Sequence, residues 1–347
     1  MLTLLKWKRA PPMKKTGPYH GGNLKAAERL FGAPAKGWLD LSTGINPWPY
    51  PVAVLPSSAW SRLPDEGDVQ GLLAAARGYY GLGDEAGLVA APGTQALLQA
   101  LPQVLSPQKV AVVSPTYGEH AHSWAAAGHE VTETPTLSEA VSMGEVVVIV
   151  EPNNPDGRIS GKKKLKETAR EMAAKGGLLI VDGAFADVAP EADVANLAGM
   201  PGLLLLRSFG KFFGLAGVRL GFAAGEKPLI ETLAARLGPW AVSGPAIALG
   251  ERAFQDRSWI EATRNRLSEA GRSLCRLLES RGFDLVGGTD LFVLVETPKA
   301  GQVFEHLGRD GILVRPFEER PHRLRFGLPG GQDEWDRLTR SLMGAPL

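Results

Sequence analysis

"GLLLLRSFGKFFGLAGVRLGF", residues 202–222, opens on a run of leucines and ends in a glycine-spaced turn that carries a single amine. Leu203–Leu206 reads as a strand covered on both faces, because a strand with one wet face would alternate polar and apolar residues. Beyond it, Lys211 stands among Gly210, Gly214, Gly217 and Gly221, between Ser208 and Arg219. So little other side-chain chemistry surrounds this amine that it asks for a role of its own.

Similar apolar runs lie on either side. "KVAVVSP" (109–115), "EVVVIVEP" (145–152), "GLLIVDG" (177–183) and "RLGFAA" (219–224) read as further strands. "TQALLQALPQVL" (94–105), "EHAHSWAAAG" (119–128) and "KKKLKETAREMAAKG" (162–176) have helical spacing and two of them end at glycine. Strands alternating with helices predict an α/β fold with a largely parallel sheet. From about residue 241 the pattern changes. A long amphipathic helix, with room for a break, is expected over 257–282, then short strands "LFVLVE" (291–296), "GILVRPF" (311–317) and "RLRFGL" (323–328). The division predicted is an N-terminal arm (1–45) packing with the small domain, a large domain (46–240) and a small α+β domain (241–347).

The totals bound the function. The chain has 347 residues, 38 basic and 37 acidic side chains and a net charge of +1. That balance speaks against a nucleic-acid or acidic-membrane surface. A single cysteine, Cys275, leaves no internal disulfide and fits a reducing cytoplasm. Six histidines without paired spacing suggest no metal site. "MLTLLKWKRAPPMKK" (1–15) lacks the long apolar core of a signal peptide and is read as a leader, or as a start placed ahead of Met13.

Ligands in open α/β sheets bind beyond the carboxyl ends of the strands. Tyr117 follows "VAVVSPT", Asn154 falls inside "EPNNPDG", Asp182 follows "LLIV" and Lys211 follows "LLLLRSFG". A ring, an amide, a carboxylate and an amine are therefore expected on one sheet edge. "APGTQALL" (91–98) is a glycine turn opening a helix, whose free N–H groups suit an anion. Ser208 and Arg219 can add phosphate contacts. A planar aromatic aldehyde bearing one phosphate fits this set, with Lys211 forming a Schiff base and Asp182 holding the ring nitrogen protonated. That ligand is pyridoxal phosphate. A Walker A loop is excluded by Phe212 after the lysine, and "GLGDEAG" (81–87) lacks the preceding strand of a dinucleotide fingerprint.

"SFGKFFGLAGVRLGF", "EPNNPDG" and "VDGAF" resemble the class I/II aminotransferase superfamily of fold type I pyridoxal-phosphate enzymes, from about residue 18 to the end. "YHGGNLKAAERLFG" (19–32), "WLDLSTGINPWPYP" (38–51) and "GPWAVSGPA" (238–246) further resemble its threonine-phosphate decarboxylases. The resemblance implies a homodimer and decarboxylation of O-phospho-L-threonine in cobalamin biosynthesis. Transamination of a phosphorylated amine such as histidinol phosphate is the alternative. A cofactor-binding regulator is a third reading, but neither end leaves room for the DNA-binding module such proteins carry.

By that resemblance Lys211, Asp182 and Tyr117 are catalytic, and Gly93, Thr94, Asn154, Ser208 and Arg219 bind the cofactor. Arg325, Arg315, His20, Gly21 and Asn154 contact the substrate. Of the two arginines in "RLRFGLPG", Arg325 is expected to face the site and Arg323 to diverge into solvent. Gly183, Gly44 and Leu63 depart from the family's usual Glu, Asn and Tyr.

Overall fold

The computed structural model describes residues 20–52 and 54–346; the leader, Met13 and the first part of the expected arm lie outside them. Thirteen strands are described. They are β1 (Leu39–Asp40), β2 (Ala86–Ala91), β3 (Lys109–Val113), β4 (Glu130–Thr134), β5 (Val146–Val150), β6 (Leu178–Asp182), β7 (Leu203–Ser208), β8 (Gly221–Glu226), β9 (Asp284–Thr289), β10 (Phe292–Glu296), β11 (Ile312–Leu313), β12 (Arg315–Pro316) and β13 (Arg323–Gly327).

The large sheet runs β2-β8-β7-β6-β5-β3-β4. Only β8 runs against the other six strands. Its strands separate two apolar clusters by the period of the pleat. Val147, Ile149, Leu179, Val181, Leu203 and Leu205 face one cluster, while Val146, Val148, Ile180, Leu204 and Leu206 face the other. Helices cover both faces, which is why these strands are apolar at every position. Each such side chain removed from water stabilises the fold by about 1.5–3 kcal/mol.

A second, antiparallel sheet has the order β12-β13-β10-β9 and packs against the unbroken helix Arg257–Ser280. The N-terminal segment joins this part of the chain. β1 pairs in parallel with β11, Leu39 opposite Ile312, and Phe31 packs edge-on against Phe304. Leu41 O accepts from Gly327 N, 2.7 Å, so the chain leaving β1 also runs beside β13.

The expected helix over 94–105 ends early. Residues Thr94–Ala100 are α-helical and Leu101–Gln103 form a tighter turn, because Pro102 cannot supply an N–H to continue the ladder. "GLGDEAG" spans the left-handed cap Gly81 of the helix Glu66–Tyr80 and the start of β2.

Candidate active site

β7, β6, β5 and β3 are neighbours and run parallel, so their carboxyl ends share one edge. Lys211 follows β7, Asp182 ends β6, Asn154 follows β5 and Tyr117 follows β3. β8 begins at this edge, with Gly221 opposite both Ser208 and Ala91. Arg219 just before β8 and Gly93 and Thr94 just after β2 therefore arrive at the same place. Six strands thus bring Lys211, Asp182, Asn154, Tyr117, Arg219, Gly93 and Thr94 to one edge of the sheet.

Asp182 is buried and its carboxylate is held at both oxygens. Oδ2 accepts from His120 Nε2, 2.9 Å, and Oδ1 accepts from Ala184 N, 3.0 Å. Burial, helped by the guanidinium groups of Arg325 and Arg219 and opposed by Asp182, lowers the Lys211 amine from 10.5 to about 8. Lys211 Nζ lies 5.8 Å from the centre of the Phe185 ring, which packs edge-on against Phe292. The wall beside the amine is therefore apolar. Tyr117 is pushed up to about 12 by burial and by Glu119 and Asp182, so its hydroxyl keeps its proton.

The loop 151–157 divides its labour. Glu151 Oε1 accepts from Ser160 N and Gly161 N, and Asn153 bonds Pro115 O, Asp156 and Thr116. Asn154 is left free of that loop network, and its Oδ1 accepts from Arg325 Nη1. Arg325 also donates to Ser42 O, 3.0 Å, and lies 4.8 Å from the centre of the Phe292 ring. Burial and the neighbouring Arg315 push its guanidinium down, with Asp40 opposing. Arg315 is its cross-strand partner. Two cations directly opposite repel, so an anion between them would be stabilising.

The expectation that Arg323 and Arg325 diverge to opposite faces is corrected. Residues two apart on a strand share a face. Depth separates them instead: Arg325 is buried, whereas Arg323 is half-buried and donates to Glu296 Oε2, 2.8 Å.

Gly93 adopts φ +85°, and a Cβ there would lie 2.4 Å from Arg219 Nη2. The guanidinium thus rests on bare backbone at the start of the helix Thr94–Ala100. Thr94 Oγ1 donates to Arg207 O, 3.0 Å, which ties that helix start to β7 beside Ser208. Gly21 is equally confined, since a Cβ there would meet Ser42 O at 2.3 Å. His20 Nε2 donates to Glu119 Oε1, 2.7 Å, and its ring centre is 5.7 Å from that of Tyr117. Glu119 Oε2 accepts from Gln95 Nε2, 2.9 Å, and Gln95 Oε1 accepts from the Tyr117 hydroxyl, 3.3 Å.

Sequence reasoning missed His120, Gln95 and Glu119. Nothing local distinguishes them from ordinary helix residues; their partners lie on other elements. Gly44 has a plain steric reason. A Cβ there would lie 2.8 Å from Phe292 Cδ1 and 3.0 Å from Phe185 Cε1. Gly183 lies against Arg207, with a Cβ at 3.2 Å from Nη1. Leu63 is exposed.

Residues 69–341 match the family described as aminotransferase class I and II. The chain belongs to that family. It is 44% identical to a threonine-phosphate decarboxylase of Pseudomonas aeruginosa, over 94% of this chain and 97% of the relative. A threonine-phosphate decarboxylase of Sinorhizobium is 42% identical, over 89% of this chain and 92% of the relative. Among solved structures, a histidinol-phosphate aminotransferase of Sinorhizobium meliloti in complex with pyridoxal-5'-phosphate superposes with a TM-score of 0.80. That alignment covers 97% of both chains at 18% identity and shows the shared fold type I architecture. No described helix is long and apolar enough to cross a membrane.

Proposed function

We propose that the chain is a pyridoxal-phosphate-dependent decarboxylase that converts O-phospho-L-threonine to (R)-1-amino-2-propanol O-2-phosphate in cobalamin biosynthesis. The observation that carries this reading is the convergence of Lys211, Asp182, Asn154 and Tyr117 at adjacent strand ends, in a chain 44% identical to a threonine-phosphate decarboxylase.

The donor set fits the cofactor. Lys211 would attach it, Asp182 would hold a proton at its ring nitrogen, Tyr117 would cover a ring face and Asn154 would meet its phenolic oxygen. Gly93, Thr94, Ser208 and Arg219 would seat its phosphate; the bare backbone at Gly93 under Arg219 is the cradle a side chain would fill. When bound, pyridoxal phosphate supplies an electron sink for the bond broken at the substrate's α-carbon.

The protein's own part is orientation. His120 and the Ala184 N–H keep the Asp182 carboxylate from turning. Arg325 and Arg315 would bind the substrate's anionic groups, with His20 and Gly21 closing over them. By fixing which substituent of the substrate's α-carbon is aligned to leave, these groups would choose between loss of carboxylate and loss of hydrogen. The apolar Phe185–Phe292 wall would limit water beside Lys211, whose amine, lowered to about 8, would return a proton to the α-carbon.

A homodimer is part of the proposal. Val52, Val54, Trp60, Leu63 and Trp240 are exposed, an apolar set that a second copy would cover. We also place the protein in the cytoplasm and retain the division into an arm (1–45), a large domain (46–240) and a small domain (241–347).

The test is turnover of O-phospho-L-threonine by protein loaded with pyridoxal phosphate, with and without 2-oxoglutarate. Sustained release of carbon dioxide without the 2-oxo acid is expected. Amino transfer only after its addition would replace the decarboxylase with an aminotransferase. No turnover despite bound cofactor would favour a regulator.

A further inference from the structure

Lys211 sits on the one-turn helix Phe209–Phe212. A helix this short pairs few of its own last carbonyls. Within the turn Gly214 N donates to Lys211 O, 3.3 Å, and one distant segment reaches this carbonyl and the next two. Lys211 O accepts from Asn46 N, 3.0 Å, Phe212 O from Asn46 Nδ2, 2.8 Å, and Phe213 O from Tyr50 N, 2.9 Å. Asn46 is 2% exposed. Its Oδ1 accepts from Trp48 N, 2.8 Å, so the amide cannot rotate without losing both side-chain bonds. Contact is close on the far side too: a Cβ at Gly214 would lie 2.7 Å from Pro49 Cα and 2.8 Å from Asn46 O.

The same segment is fastened to the strand that carries Arg325 and to the loop that follows it. Leu41 O accepts from Gly327 N, Ser42 O accepts from Arg325 Nη2, and Trp48 Nε1 donates to Gly330 O, 2.6 Å. The Arg266 guanidinium covers the Trp48 ring at 3.7 Å. Residues 41–50 therefore join the amine's turn to the guanidinium's strand.

We propose that Asn46 is a positioning residue for Lys211: it caps the lysine turn from outside and, through residues 41–50, sets the amine in register with Arg325. Both polar atoms of its side chain are already used by Phe212 O and Trp48 N, so it acts through Lys211 rather than on a ligand. The inference rests on the reading of Lys211 as the cofactor-binding amine.

Asn46→Asp separates the functions. It keeps the shape and the acceptor for Trp48 N but turns the donor facing Phe212 O into an anion. Asn46→Ser is neutral and also keeps an acceptor. A displacement of about 1 Å in a reacting group can cost about 10²-fold, so kcat is expected to fall about 10- to 100-fold with KM changed by less than about threefold. The pH midpoint of the bound cofactor's visible absorbance is expected to shift. In cofactor-free protein, amide hydrogen exchange over residues 209–214 is expected to quicken. Wild-type exchange, midpoint and kcat per bound cofactor in both variants would overturn the proposal. So would a lower Tm whose folded fraction turns over at the wild-type rate. Should either variant fail to fold, the other decides. A wild-type protein that never gains the visible band would instead sink the Lys211 reading, and exchange in the cofactor-free variants would still judge the cap.

Discussion

The Lys211 amine titrates near 8 because burial and Arg325 work against its charge while Asp182 favours it. In its proposed role the neutral amine is the nucleophile, and its fraction grows as pH rises through that value. In cofactor-free protein the rate of covalent capture of pyridoxal phosphate should therefore climb through pH 8 and level off above it. A climb that continues toward 10.5, the ordinary lysine value, would contradict this. Replacing Arg325 with Met removes a like charge and should move the midpoint upward. Asp182→Asn should cost kcat roughly 10²-fold or more, since it removes the charge that in the proposed role holds the cofactor's ring-nitrogen proton. Steady-state kinetics on cofactor-saturated protein checks this, and an unchanged kcat would dismiss the role.

Lys211, Asp182 and Asn154 are legible in the sequence because each follows an unbroken apolar run, and the end of such a strand in a parallel sheet is where ligands bind. His120 is not. It reaches Asp182 across 62 residues of chain, and Asn46 reaches Phe212 across 166. Pairings of that range depend on how elements pack, which the pattern along one element does not encode.

Elements show the same division. β3, β5, β6 and β7 announce themselves because both faces are covered and every position is apolar. β4, "EVTET", sits at the sheet edge with polar residues, and β2, "AGLVAA", contains glycine and only one β-branched residue. Neither carries the signal of a buried strand. The proposed anion seat at the start of the helix Thr94–Ala100 is an element-scale feature, since it needs Gly93 in a left-handed backbone with Arg219 laid against it. Gly93→Ala should lose about 1 kcal/mol of stability from the strained backbone. It should also weaken cofactor binding at least about tenfold, equal to about 1.4 kcal/mol, because Arg219 must move to admit the methyl group. Thermal unfolding and cofactor titration measure the two effects; an unchanged Kd would remove Gly93 from the seat.

At the scale of the whole molecule, residues 20–50 matter beyond their size. Through β1, Ser42, Asn46 and Trp48 they touch the turn that carries Lys211 and the strand that carries Arg325, so the two share one support. Composition and charge excluded broad classes without indicating this arrangement. The exposed Trp60 and Trp240, assigned to the proposed dimer interface, belong to this scale too. Trp60→Glu with Trp240→Glu should shift sedimentation from dimer toward monomer. A dimer unaffected at micromolar concentration would move the interface elsewhere.

The most direct measurement is reduction of the cofactor-loaded protein with borohydride, followed by peptide mapping of the attachment site. A single modified lysine at position 211, absent in Lys211→Ala along with all turnover, is the expected result. Attachment at another lysine, or full activity in Lys211→Ala, would contradict the account.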